Sequence, residues 1–411
     1  MFEVDSRLPR EMDSPSRRRW LQWAAAGYGA SLFASPGWSW AEEPAQQAKS
    51  HGPLIVRSED PLNAETGLKD LVANWLTPTE AFYIRSHGGV PQVDAKSFTL
   101  TVSGLVNKPL VLKVDELVER FPIQSVNATL TCAGNRRKEF NQIKPVGGVQ
   151  WEAGAIGNAK WKGAILSEVL KAAGVQAGAK HVWFEGADEL EHAGHATHFG
   201  GSIPLEKAMQ DAPTMPGTLL ATHMNDEPLS PEHGFPLRSV VPGYIGARSV
   251  KWLNRIIVSN EPSPNHYLAD AYKLVIDDEA SSRAAAQPLY ENIVNGAICI
   301  PAANGTFPVP GEFTISGYAL PSGKADCTVT KVEVSIDSGK SWTVAKLGED
   351  SAAYCWRLWR TKLKIKNKGE LLARVSDSSG AVQPELMRWN LKGYMNNAWY
   401  RTPFKTSLRG I

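Results

Sequence analysis

Helical spacing of apolar residues ends at about residue 290 and gives way to a series of short alternating runs separated by turn residues: "FTISGYAL", "KVEVSIDSGKSWTVAK" and "LLARVSDSSG". That rhythm confines the C-terminal part of the chain to an all-β fold. In the second run Val332, Val334 and Ile336 alternate up to Asp337-Ser338-Gly339, and the chain then turns back through Trp342 and Val344 as a hairpin. Roughly a hundred residues of such strands predict an immunoglobulin-like sandwich over 290–411.

The preceding stretch is of mixed character. "SFTLTVSGL" alternates Phe98, Leu100 and Val102 as a half-buried strand that ends at Gly104. "GAILSEVLKAAGV" puts Ile165, Leu166, Val169 and Leu170 on one helical face and stops at Gly174, where glycine readily takes the left-handed closing conformation. Strands and short helices with long irregular connections predict an α+β domain over 79–289. A chain of 411 residues is in any case too long for one ordinary domain. Residues 42–60 are polar and contain Pro, Gln and Lys, so they are expected to be flexible, within a lead-in segment over 42–78.

Residues 1–41 are expected to be removed. "SRRRWLQ" precedes the apolar stretch "WAAAGYGASLFA", which is too short to span a bilayer but has the length of a signal-peptide core. "SWA", Ser39 to Ala41, offers small residues for cleavage after Ala41. Arg17 and Arg18 resemble a twin-arginine signal, which exports proteins already folded, here to the periplasm. The mature chain is then expected to have no membrane span.

The 44 basic and 42 acidic residues nearly cancel, and removing five arginines and four carboxylates with the leader keeps them balanced. Such a surface does not coat a polyanion, so nucleic acid is not an expected partner. The four cysteines, Cys132, Cys299, Cys327 and Cys355, are too sparse for a disulfide scaffold, although an oxidising compartment permits pairing. None lies in C-x-x-C or C-x-x-C-H, so the chain carries no covalent haem site.

"TCAGNRR", Thr131 to Arg137, places Cys132 four and five residues ahead of two arginines. Flanking cations stabilise a thiolate, the form that attacks electrophiles and binds metals. The chemistry leaves three roles open: half of a disulfide, a nucleophile, or a soft metal ligand beside an anion pocket.

The longer segment "TCAGNRRKEFNQIKPVGGVQWEAGAIGNAKWKGAILSEVL" resembles the sulfite oxidase family of molybdenum enzymes. "FYIRSHGGVP" before it, and "VWFEGADE", "HMNDEPLSPEHGFPLRSVVPGYIGARSVKWLNRI" and "MNNAWYR" after it, extend the resemblance from about residue 60 to 405. It implies an α+β molybdopterin-binding domain followed by the sandwich, with Cys132 as the protein ligand to molybdenum. His87, Asp188, His233, Arg238, Arg248 and Lys251 are then the residues that bind the pterin and its phosphate, by charge-assisted hydrogen bonds. The substrate positions are Arg85, Arg137 and Arg401, with Trp151 as a pocket wall and Tyr272 beside the reacting group. Guanidinium forks suit the oxygens of a small pyramidal oxyanion, and a tyrosine hydroxyl can assist proton release.

The implied reaction is oxidation of sulfite to sulfate, with two electrons leaving singly. Nothing between Ala41 and Thr79 is long enough for the cytochrome domain of animal members, so an external acceptor, a c-type cytochrome, is expected. A homodimer joined through the sandwich is also implied. Ser86 and Tyr267 stand where animal members usually carry Asn and Trp. Two other enzyme readings keep the fold, a reductase of sulfoxides or one of nitrate; a non-enzyme reading is an exported binding module with a degenerate pocket. "EHAGHATH" spaces His192, His195 and His198 by three, which on a short helix would form a second metal site; Gly194 weakens that helix and favours a solvated loop or acceptor contact.

Overall fold

The computed structural model describes residues 50–210 and 216–408. The proposed leader, residues 1–41, lies outside the described residues, as does the start of the lead-in.

The expected flexible lead-in is instead ordered structure from Ser50 on. Leu54–Glu59 and Leu62–Thr66 form an antiparallel hairpin, and Ile84–Arg85 adds to its far edge with Asn63 opposite Arg85. The segment looks disordered in sequence because its strands are polar. They are stable because Ala64, Glu65 and Thr66 are nevertheless buried against the body of the protein. The Asn63 side chain accepts from the Arg85 guanidinium at 3.0 Å and from the Ser86 backbone N–H at 3.1 Å.

Two sheets form the α+β part. In one, the strands run Gly200–Pro204, His181–Gly186, Leu253–Ser259, Thr99–Gly104, Leu110–Lys113, with a single parallel pair between Leu253–Ser259 and Thr99–Gly104. Leu100 and Val102 point into the core, as their alternation predicts. The helices Val114–Arg120 and Leu166–Ala173 cover them, and each fully buried aliphatic side chain contributes about 1.5–3 kcal/mol. Leu166–Ala173 ends on Gly174 at φ 70°, the left-handed cap expected; Ile165 belongs to the preceding strand rather than to the helix.

The second sheet orders Glu227–Pro228, Leu219–Met224, Ile156–Ile165 and Ile123–Thr131, with Arg238–Val240 also paired to Leu219–Met224. Ile123–Thr131 pairs along its whole length with Ile156–Ile165 and stops at Thr131. Cys132 is therefore the first residue past a long, fully anchored strand.

After residue 290 the chain forms two sheets packed face to face. One contains Asn295–Ile300, Gly311–Leu320, Arg357–Ile365 and Lys346–Leu347; the other Thr306–Val309, Tyr400–Leu408, Gly369–Asp377, Val329–Ser335 and Thr343–Val344. Ile315, Trp359 and Leu363 from the first meet Val332, Val334, Leu371 and Phe404 from the second in one apolar core. In the expected hairpin, Glu333 faces Val344, and Asp337 closes the connection by accepting hydrogen bonds from Ser335 and Ser341.

Candidate active site

The loop Cys132–Arg137 divides its side chains between two directions. Cys132 is held by its backbone N–H, which donates to Ala155 at 2.9 Å, and its sulfur accepts from Gly134 N–H at 3.4 Å. Asn135 N–H donates back to the Cys132 carbonyl at 2.9 Å and closes the turn. The Asn135 amide reaches the hydroxyl of Tyr318 in the sandwich at 3.0 Å, and Arg136, left-handed at φ 67°, buries its guanidinium completely. Arg136 pairs with both oxygens of Glu139 at 2.7 and 2.8 Å and donates to Asn295 at 2.9 Å. Met395 N–H donates to the Ala133 carbonyl at 2.8 Å. The loop that presents Cys132 is thus fastened to the sandwich on one side and to the second sheet on the other.

Arg137 turns the opposite way. Its guanidinium donates to the carbonyls of Val149 (2.8 Å) and Lys392 (3.0 Å) and lies 5.0 Å from the ring centre of Tyr394. Gly134 and Gly148 leave room for it: a Cβ at either would stand 2.5 and 3.0 Å from guanidinium nitrogens. Close approach of backbone to a planar cation is what glycine permits.

Beside Cys132 opens a cleft. Arg85, His87, Asp188, His233, Arg238, Lys251 and Tyr272 line it together with Cys132, so eight of the twelve residues expected from sequence meet in one place. Trp151 is fully buried in the apolar cluster that also holds Cys132, Phe82 and Tyr83, and its indole N–H has no partner among the described residues. Arg248 stands behind the cleft wall, 5.9 Å from the ring of Tyr272.

Arg401 does not join them. It lies on Tyr400–Leu408 with its neighbours Tyr400 and Thr402 turned inward, and it pairs on the surface with Glu370 at 3.1 Å and Glu385 at 3.7 Å. Strand alternation sends every second side chain to the other face, and Arg401 falls on the outer one.

Among the described residues no carboxylate pairs directly with Arg238, Lys251 or Arg248, although Asp188 lines the same cleft and acts on Lys251. Arg238 donates only to the carbonyls of His233, Ser239 and Ser249, and burial lowers its pKa to about 10. Lys251 donates to the Ser86 hydroxyl at 3.0 Å and the Glu232 carbonyl at 2.8 Å; burial, reinforced by Arg238, brings it down to about 7. Arg248 is likewise lowered to about 10 by burial, and one of its terminal nitrogens has no partner among the described residues. Burial and the neighbouring Arg238 press His233 down to about 3, so it is neutral and accepts or donates as a hydrogen-bonding group. His87 is pushed well below its ordinary value by burial, then by Arg85 and Lys251.

Buried cations that meet only neutral oxygens are stabilised by an incoming anion. A phosphorylated pterin supplies such a group, and the donor set of Arg238, Lys251, His233 and Arg248 matches it. Cys132 offers one soft ligand at the cleft wall. The residues present fit the molybdenum cofactor.

Sequence reasoning passed over several contributors. Phe199 stacks on His87 at 4.6 Å, Tyr83 lines the cleft and is pushed up by burial and by the neighbouring Cys132, and Tyr394 stacks on Tyr272 at 5.2 Å. Tyr83 and Tyr394 sit in or beside quoted motifs, so proximity to a motif was the only signal of their role. His192 and His195 of "EHAGHATH" lie on a two-stranded hairpin, not a helix, and pair with each other across Ala193 and Gly194, both at positive φ; His198 follows the second strand. His198 is bonded to the Asp188 carbonyl and His192 stacks on His266. Among the described residues no group of three His, Cys, Asp or Glu is placed to hold a metal ion. All four cysteines are unpaired and buried.

Residues 87–267 match the family described as the oxidoreductase molybdopterin binding domain, and residues 286–407 the Mo-co oxidoreductase dimerisation domain. Fold and site together define a molybdopterin-dependent oxidoreductase. Chicken sulfite oxidase is 40% identical over 365 residues, covering 85% of this chain and 78% of its own; human mitochondrial sulfite oxidase is 40% identical over 366 residues, covering 85% and 65%. A rice NADH nitrate reductase is 36% identical over 397 residues, covering 88% of this chain and 43% of its own. The crystal structure of the sulfane dehydrogenase SoxCD from Paracoccus pantotrophus superposes with a TM-score of 0.72 at 26% identity, covering 94% of this chain and 98% of that one. The chain belongs to the sulfite oxidase family of molybdenum oxidoreductases. It spans 65% or less of the human and rice relatives, which extend beyond this core.

Proposed function

We propose that this protein oxidises sulfite to sulfate. The observation that carries the reading is that Arg85 and Tyr272 line the cleft beside Cys132, with a neutral His87 hydrogen-bonded to Tyr272 and the buried Arg137 guanidinium among the charges that act on that tyrosine. Electrostatic approach brings a small oxyanion between the two guanidinium groups, which orient its oxygens and leave the sulfur lone pair free. The Tyr272 hydroxyl lies 3.0 Å from His87 Nε2, and burial raises its pKa, so it stays protonated and donates. Arg85 remains a firm cation: burial works to lower its pKa, but Tyr272 and Cys132 outweigh that and raise it.

The molybdenum cofactor, when bound, supplies two-electron oxygen-transfer chemistry. Cys132 would ligate the metal, and Arg238, Lys251, His233, Arg248, Asp188 and His87 would hold the pterin and its phosphate. The chain's own contribution is anion binding, orientation and a protonated hydroxyl at the reacting centre.

Beyond the chemistry, the reading extends to the cell. The twin-arginine-like leader supports export in the folded state to the periplasm, where electrons pass singly to an external acceptor, a c-type cytochrome. The C-terminal domain supports a homodimer.

The identity to a nitrate reductase favours one alternative, nitrate reduction on the same fold. Sulfite-dependent reduction of ferricyanide by cofactor-loaded protein, with dye-driven nitrate reduction measured alongside, separates the two. Sulfite turnover that falls at least about a hundredfold in Cys132→Ser supports the proposal, since even residues outside the metal's ligand set commonly contribute about 10–100-fold. Nitrate turnover without sulfite turnover refutes it. Molybdenum-loaded protein with neither activity leaves the sulfoxide-reductase and binding-module readings.

A further inference from the structure

With Arg401 on the surface, the segment Asn390–Asn396 is a part of the C-terminal domain that does reach the Cys132 loop. The Asn390 side chain donates to the Tyr394 carbonyl at 2.8 Å and accepts from the Tyr394 N–H at 3.0 Å. Immediately beyond, Met395 is tied to Ala133 and the Asn396 amide donates to the Arg136 carbonyl at 3.1 Å. Tyr394 is therefore clamped on both sides, and one of the clamps is the Cys132 loop itself.

Its ring lies between two groups of the site. Tyr272 stacks on it, with centroids 5.2 Å apart and planes 13° from parallel, and the Arg137 guanidinium carbon lies 5.0 Å from its centre. The hydroxyl shares its surroundings with Tyr272, Arg137, Cys132 and Arg85, each of which shifts its titration, while burial keeps it protonated. The residue is only partly buried, and none of the described residues hydrogen-bonds its hydroxyl. A protonated donor beside two cations, with no partner among the described residues, is complementary to an oxygen of a bound anion.

We propose that Tyr394 is a substrate-binding residue whose hydroxyl donates to one oxygen of the small oxyanion held by Arg85 and Arg137. This rests on the reading of the site as a sulfite oxidase. Sulfite has three oxygens, and Arg85, Arg137 and Tyr394 give each its own donor from a different part of the chain. The phenol adds direction without a third positive charge, so the pocket selects for shape as well as charge.

Tyr394→Phe keeps the ring between Tyr272 and Arg137 and removes only the hydroxyl; Tyr394→Leu removes both. In the cofactor-loaded enzyme, the Phe variant should raise the KM for sulfite about tenfold or more with kcat within about twofold, the pattern of lost ground-state binding. Its equilibrium affinity for sulfate, read by calorimetry, should weaken by a similar factor, with molybdenum content and Tm unchanged. A Phe variant whose KM and sulfate Kd both stay within about twofold of wild type overturns the assignment, and impairment confined to Leu then marks the ring as packing alone. If the wild type fails to oxidise sulfite, the functional reading falls, but the sulfate affinities of wild type and Tyr394→Phe still decide the role of Tyr394.

Discussion

Tyr272 and His87 share a hydrogen bond of 3.0 Å, formed between a hydroxyl that burial keeps protonated and an imidazole that burial and two cations keep neutral. With His87 carrying its proton on Nε2, the imidazole and Arg85 both donate to the tyrosine oxygen, and the phenolic O–H is left to donate into the cleft. Phe199 and Tyr267, each 4.6 Å from the imidazole centre, fix the ring plane.

Tyr272→Phe should therefore lower kcat for sulfite about a hundredfold, the range of a positioned proton donor, while molybdenum content stays at the wild-type level. Steady-state kinetics together with metal analysis check this. Loss of kcat accompanied by loss of metal would make Tyr272 a scaffold for the cofactor instead.

Arg401→Ala should leave kcat/KM within about twofold of wild type and change stability by no more than about 1 kcal/mol, because exposed ion pairs contribute little. Its partners Glu370 and Glu385 are themselves solvent-accessible. A large rise in the KM for sulfite would place Arg401 back in the substrate pocket.

Lys251 gives the cofactor-free protein a pH dependence whose sign is set by burial. Its folded pKa is about 7 against an ordinary value of 10.5, so between those values the unfolded chain binds more protons. The destabilisation from burying the cation is full below pH 7 and fades as pH rises toward 10.5, so this lysine makes stability increase with alkalinity. An anion in the cleft favours the charged form and reverses the preference. Pyrophosphate should raise Tm more at about pH 6 than at about pH 9, and Lys251→Met should flatten that difference.

Glu139→Ala leaves the Arg136 guanidinium buried with no counter-charge, and should destabilise the protein by about 3–5 kcal/mol. Asn396 also loses a 3.1 Å contact to the carboxylate. Thermal denaturation measures the loss. A shift no larger than that of a surface ion pair would mean that Asn295 and the Gly296 carbonyl suffice for Arg136.

The sandwich was legible because its strands alternate against turns, and Val332 and Val334 point inward as their spacing requires. Cys132 and the cations of the cleft were legible because motif residues cluster along the chain. The hairpin that carries Asn63 was not, since polar strands of this kind are stabilised by distant partners that local pattern does not reveal. Arg401 misled for a simpler reason: within a strand, a difference of one residue separates the interior from solvent, and the motif does not state which face it occupies. Tyr394, seven residues earlier, lies in a turn set by Asn390, and nothing periodic announces its direction.

Asn135, Arg136 and Ala133 each end on a partner from beyond residue 290. The expected boundary between the two domains is therefore no boundary for chemistry. A fragment ending near residue 289 retains Cys132 but releases the loop that aims it, and a chimaera that exchanged only the sandwich would exchange part of the active centre too. The two halves can be inherited separately only if Tyr318, Asn295 and the turn at Asn390 travel with the metal ligand.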